Sequence, residues 1–174
     1  MVVIVGLDLA SKETNPTGFA LYDDGYVITT ILYTDIQIVN STLRAYPEIV
    51  AIDAPLTYSD GYREAEKELI RRGIQAFPPN FVKELTFRAI KLKAKLGNVI
   101  EVFPSAFYKI MGVNENQLER FVRFEHKPRS KHELDATACC ITAAMFLDGK
   151  AEAVGEKGAK IIIPIKPKKE TKTT

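Results

Sequence analysis

The stretch that most limits what this chain can fold into is Val2 to Ser11, VVIVGLDLAS. It is an apolar run with one carboxylate, Asp8, near its end. Successive β-branched residues without polar alternation predict a strand buried on both faces. Such a strand offers a carboxylate little water, and an unpaired buried charge is too costly to keep. Asp8 is therefore expected to meet a metal ion, a cationic side chain or hydrogen-bond donors at the strand's carboxyl end, the edge where α/β sheets carry their ligand sites. Three further acids have the context to reach that edge: Asp53, Glu101 and Asp135.

The remaining pattern alternates short apolar runs with helical periodicity. Gly18 to Tyr22 and Tyr26 to Tyr33 read as strands joined by the hairpin signal Asp23-Asp24-Gly25. Ile36, Val39, Leu43 and Tyr46 recur at helical spacing before Pro47. Ile49 to Ala54 (IVAIDA) reads as a buried fourth strand ending in Asp53, and Val99 to Phe103 as a fifth containing Glu101. Between them lie a charged helix over Tyr62 to Arg72, capped by Ser59 or Asp60, and an amphipathic helix over Phe81 to Leu96. Short helices over Ser105 to Met111 and Glu115 to Arg123 precede a basic loop, Arg123 to Lys131, and the most apolar helix, Glu133 to Leu147. Ile161 to Ile163 is a candidate terminal strand. The pattern predicts a mixed five-stranded α/β sheet with helices on both faces: strands one to three antiparallel, strands one, four and five parallel.

With 174 residues the chain suits one domain, expected over residues 1–165, and a Lys-rich disordered tail over 166–174. A net charge of +2 gives no global field, so any affinity for nucleic acid has to come from local patches. Cys139 and Cys140 are adjacent, and neighbouring helical positions diverge, which suits two small buried residues better than a disulfide or a metal site. The N-terminal run has no basic lead and is interrupted by Asp8. It reads as neither signal peptide nor membrane span, and a cytoplasmic protein is expected.

If the strands carrying Asp8 and Asp53 are neighbours, two like charges lie side by side, and a divalent cation between them is one way to keep both ionised. An acid set without a Cys or His cluster favours Mg²⁺ or Mn²⁺ over zinc. Each acid also has a plainer use. Asp53 can cap the turn before Ala54-Pro55, and Glu101 can face solvent from an edge. Asp135 can complement the dipole of the last helix. His132 lies three residues before Asp135 and shares its helix face. It can polarise a water, accompany a metal ligand or donate to a phosphate, or simply be solvated.

Taken together, GLDLAS with Asp8, AIDAPL with Asp53, EVFPS with Glu101 and KHELDATACC with Asp135 resemble the predicted nucleases of domain-of-unknown-function family 429, of the ribonuclease H-like superfamily. The likeness runs from about Val3 to Pro164 with the segments in order. The His-x-x-Asp pair is similar to that of some RuvC-type resolvases, and Glu101 resembles the strand-five acid of YqgF-type nucleases. The resemblance implies a metal-dependent nuclease fold. The mechanism that would follow is two-metal phosphodiester hydrolysis: Asp8 bridging, Asp53 or Glu101 completing one ion, Asp135 the other.

Arg123, Lys127, Arg129 and Lys131, with Arg120 and interleaved Phe121, Phe124 and His126, are candidates to steer a nucleic-acid backbone. Lys12 and Arg63 follow the two acid-bearing strands closely enough to do the same. A homodimer is expected by analogy with resolvases. Two other readings compete: a non-catalytic binding or scaffold protein with this fold, and an actin/Hsp70-like nucleotide-binding protein. The second needs two closing domains and Gly-rich phosphate loops, which SKETNPTG is not.

Overall fold

The computed structural model describes residues 1–167. In chain order its strands are Val3–Asp8 (β1), Thr17–Asp23 (β2), Tyr26–Leu32 (β3), Ile49–Ile52 (β4), Val99–Val102 (β5), Arg123–Phe124 (β6), Ala151–Glu156 (β7) and Ala159–Pro164 (β8). The α-helices are Asp35–Arg44 (α1), Glu64–Arg71 (α2), Lys83–Leu96 (α3), Pro104–Met111 (α4) and Lys131–Leu147 (α5). All eight strands join one sheet in the order β6-β3-β2-β1-β4-β5-β8-β7. β1, β2 and β3 run antiparallel, and β1, β4 and β5 run parallel, as the sequence predicts.

The sheet has eight strands rather than five. β8 fulfils the terminal-strand expectation and pairs parallel with β5. β7 (AEAVGE) has a single β-branched residue, Val154, and no aromatic one, so it is poor in the residues that mark strands. It forms because the turn at Gly158, with φ +85°, folds it back on β8. β6 is only two residues long, inside the segment read as a basic loop, and pairs with the start of β3.

Side-chain alternation along β1 divides the core. Ile4 packs with Ala51, Phe107 and the apolar residues of α5 on one face; Val5 and Leu7 pack with Val50, Ile52, Ile38, Ala89 and Leu92 on the other. α4 and α5 therefore cover one face of the sheet, and α1 and α3 the opposite one. α2 covers β7 and β8 through Ala65 and Leu69. Burial in α1 falls on Ile38 and Thr42, while Ile36, Leu43 and Tyr46 are exposed, because the helix leans on α3 through its other side. α2 is not capped by Ser59 or Asp60. Its N-cap is Arg63, and Asp60 instead accepts a hydrogen bond from Tyr58. Among the described residues no helix is long and apolar enough to cross a membrane. Most of the tail expected over 166–174 lies outside the described residues.

Candidate active site

Strand register decides which acids share a face. Leu7 of β1 pairs with Ile52 of β4, and the Asp53 amide donates to the Leu7 carbonyl at 2.9 Å. Asp8 and Asp53 are thus equivalent positions on neighbouring strands. Both turn away from the Leu7 and Ile52 face, toward α5. The head of α5 comes down on them because β1 and β2 present glycines there. A Cβ on Gly6 would lie 2.1 Å from the Ala136 carbonyl oxygen, and one on Gly18 1.9 Å from that of His132. Ser130 caps the helix. The buried Glu133 ties it to the sheet by accepting from the Thr29 hydroxyl at 3.0 Å and the Arg129 amide at 2.8 Å.

This docking brings His132 and Asp135 to the sheet edge. His132 Nδ1 lies 2.7 Å from Asp8 Oδ2. Asp135 accepts from the Tyr108 hydroxyl at 2.9 Å and from Lys131 Nζ at 2.5 Å. Neither Tyr108 nor Gly18 stood out in the sequence; only a tertiary contact marks them. Burial pushes the Asp8 carboxyl above the usual carboxylate range, partly offset by the hydrogen bond from His132, with Asp135 adding to the rise. Asp53 is pushed up further, by burial and then by the charges of Asp8, Asp135 and Glu101. Cys139 on α5 is raised by burial and by the fields of Asp53, Asp8 and Asp135. Asp8 and Asp53 therefore both lie within the field of Asp135 at the head of α5. No hydrogen bond from the described residues reaches the Asp53 carboxylate, whereas Asp8 and Asp135 each have a protein partner.

Glu101 is not part of this group. It pairs in register with Ile52, one residue short of Asp53, so alternation turns it to the opposite face. There it is 5% exposed and receives Arg63 in a two-pronged pair, at 2.6 and 3.0 Å, with the Leu56 amide at 2.9 Å. Arg63 is 4% exposed, and its guanidinium also binds Glu66 and the Thr57 hydroxyl. Burial alone would lower its pKa, but the hydrogen bonds it donates to Glu101 and Glu66 hold the guanidinium firmly charged. Arg63 is a buried strut and is not available to a phosphate.

The other basic residues separate by position. Lys127, Arg129 and Lys131 line one groove of about 450 Å³ beside the head of α5. Arg123 lies elsewhere. It is in register with Tyr26, which pairs with Asp23, which pairs with Val3 at the start of β1. That is five residues, or roughly 16 Å along the strand, from Asp8. Its guanidinium sits over the Tyr26 ring, far from the acids. Lys12 follows β1, exposed, with Glu84 3.7 Å from its amine. Arg88, which shares α3's charged stripe with Lys91 and Lys95, is buried. It binds Asp35 and the carbonyls of Ala10 and Tyr33, and so pins the chain leaving β1.

Among the described residues no three His, Cys, Asp or Glu side chains stand close enough to hold a metal ion. The donor chemistry nevertheless suits one: three carboxylates at a single edge, one of them without a partner, match the all-oxygen preference of Mg²⁺ and Mn²⁺. Lys131 and His132 supply positive charge or donors to the other two. Over the same strand ends lies a cavity of about 200 Å³ with Asp8, Asp53 and Glu101 in its wall, roofed by the segment between α2 and α3.

No family model matches the chain, and no curated protein matches it. Among solved structures it is similar to T. thermophilus RuvC in complex with a Holliday junction substrate. The TM-score is 0.57 at 15% identity, covering 95% of this chain and 100% of that one. The mixed sheet with helices on both faces thus defines an α/β fold. In particular, it is a RuvC-like fold.

Proposed function

We propose that this chain is a metal-dependent nuclease that hydrolyses phosphodiester bonds in DNA or RNA, structured or branched substrates included. Its catalytic residues are Asp8, Asp53, Asp135 and His132. The observation that supports this reading is that Asp8 at the end of β1, Asp53 just past β4 and Asp135 on α5 lie at one carboxyl edge of a RuvC-like sheet, with Asp53 within the fields of the other two. The relative solved with a Holliday junction makes branched DNA the first substrate to try. The reading includes one catalytic domain over residues 1–165, a homodimer, a cytoplasmic location and kinship with domain-of-unknown-function family 429.

Asp8, Asp53 and Asp135 are the residues that would hold Mg²⁺ or Mn²⁺. When bound, the cation supplies an ionised water and offsets the charge that builds on the phosphate. The chain's own groups do the rest. Asp8 fixes the His132 ring through Nδ1, which leaves Nε2 as the atom able to take a proton from an attacking water. Lys127, Arg129 and Lys131 line the groove that receives the backbone. Glu101 and Arg63 act as a buried brace between β5 and the start of α2.

The test is hydrolysis of four-way junction, linear duplex, single-stranded DNA and RNA with Mn²⁺ or Mg²⁺. Cleavage is expected in the wild type and lost in Asp8→Asn; cleavage that survives Asp8→Asn overturns the proposal. One observation favours a second reading, a non-catalytic nucleic-acid-binding protein. His132 and Lys131 contact Asp8 and Asp135, so two of the three carboxylates have protein partners that occupy them. Junction binding with no cleavage under any cation would select it.

A further inference from the structure

The cavity over the strand ends is not explained by a cation site. Its walls are mostly apolar: Leu69, Ala76, Val82, Leu85 and Phe103. At about 200 Å³ it is smaller than the roughly 300–1,000 Å³ of sites for drug-sized ligands, and it suits one flat ring system. Phe77 lines it and is 55% exposed, so it forms part of the rim. Its ring stacks on that of Phe81, itself 73% exposed, with centroids 6.3 Å apart. Two large apolar rings left in water beside an apolar cavity extend the binding surface outward.

The charge around the cavity narrows the ligand. Asp8, Asp53, Glu66 and Glu101 contribute to its lining. Glu66 and Glu101 are already paired with Arg63, so the acceptors left for N–H groups, and the charges left to repel an anion, are Asp8 and Asp53. A neutral heteroaromatic ring with N–H donors satisfies both the walls and the acids. The phosphate attached to such a ring would remain outside, toward Asp8 and Asp53 and any cation that they hold.

We infer that this cavity receives a single unpaired nucleobase of the substrate strand, adjacent to the phosphodiester under attack. The inference rests on the nuclease reading for the nature of the strand, and on the cavity alone for the ring. Extruding a base costs least where it is already unpaired, so the cavity favours nucleotides at branches, loops and single-stranded stretches. An aromatic rim is sequence-tolerant, since every base has a π-face to stack.

The probe is an oligonucleotide with one unpaired 2-aminopurine, whose emission is quenched by stacked neighbouring bases. It is added to the full chain in EDTA, so that neither cation nor cleavage enters the readout. Emission is expected to rise severalfold on binding to the wild type, and the rise to vanish in Ala76→Leu and in Leu85→Phe, which fill the cavity from different residues. Circular dichroism identifies which of the two variants is folded. An equal rise in a folded, filled variant overturns the inference, as does no rise in the wild type. A Mn²⁺-dependent nuclease without the rise loses the base site alone; an inert chain that shows it loses the nuclease reading alone.

Discussion

His132 Nδ1 and Asp8 Oδ2 meet at 2.7 Å, although 124 residues separate them. The contact depends on two glycines that let α5 lie directly on β1 and β2. A methyl group at Gly18 would stand 1.9 Å from the His132 carbonyl oxygen, a backbone atom that cannot swing aside. Gly18→Ala should therefore destabilise the protein by about 3 kcal/mol or more, the upper end of ordinary overpacking. It should also lift His132 off Asp8. Urea denaturation reads the first effect. The second appears as a shift of the His132 imidazole resonances.

The pair Arg63 and Glu101 gives a prediction that separates structure from chemistry. Arg63→Ala leaves Glu101 and Glu66 buried without their cation and should cost about 3–5 kcal/mol. Glu101→Gln keeps the shape and leaves Arg63 paired with Glu66, so a loss of about 1–3 kcal/mol is expected. Neither change removes a member of the aspartate group. The measurement is the unfolding midpoint of each variant, and Mn²⁺ binding by folded Glu101→Gln should match the wild type.

The crowding of Asp8, Asp53 and Asp135 should make the metal-free protein lose stability as pH rises. Burial and neighbouring charge hold the Asp53 carboxyl well above its ordinary value of 3.8, and Asp8 is raised too. Above that value the unfolded chain has given up protons that the folded chain still holds, so folding is progressively disfavoured until the raised pKa values are passed. Below it the effect vanishes. Thermal melts in EDTA across this range should show the decline, and Asp53→Asn should flatten it. Saturating Mn²⁺ should restore stability at the higher pH values.

Lys131 sits on Asp135 at 2.5 Å, where it supplies positive charge to one of the three aspartates. Removing it should leave that carboxylate free for a divalent ion. Lys131→Met is expected to tighten Mn²⁺ binding while weakening binding of a DNA junction in EDTA. Unchanged Mn²⁺ affinity would mean that the amine and the cation do not compete for Asp135.

Much of this arrangement is legible in the sequence. Asp8 and Asp53 end two-sided apolar runs, and such runs become adjacent parallel strands in an α/β sheet. Asp135 heads an apolar helix that has to pack across them. Glu101 shows where reading stops. Its strand is visible, but its face depends on a register of one residue against β4, which no local pattern fixes. The same blindness hides Arg63, which looks like a surface residue until Glu66 and Glu101 close on it. Arg123 and Lys131 share one basic segment, yet β6 carries Arg123 to the amino end of the sheet and α5 carries Lys131 to the other. β7 escapes notice because Ala and Glu dominate it, and its pairing comes from the turn at Gly158.

The central claim is that Asp8, Asp53 and Asp135 form one cation centre from which Glu101 is excluded. Calorimetric titration of the full chain with Mn²⁺ tests this most directly. Saturable binding is predicted in the wild type and in Glu101→Gln, and its loss in Asp8→Asn and Asp53→Asn. Binding that persists unchanged in both aspartate variants, or disappears in a folded Glu101→Gln, would contradict it.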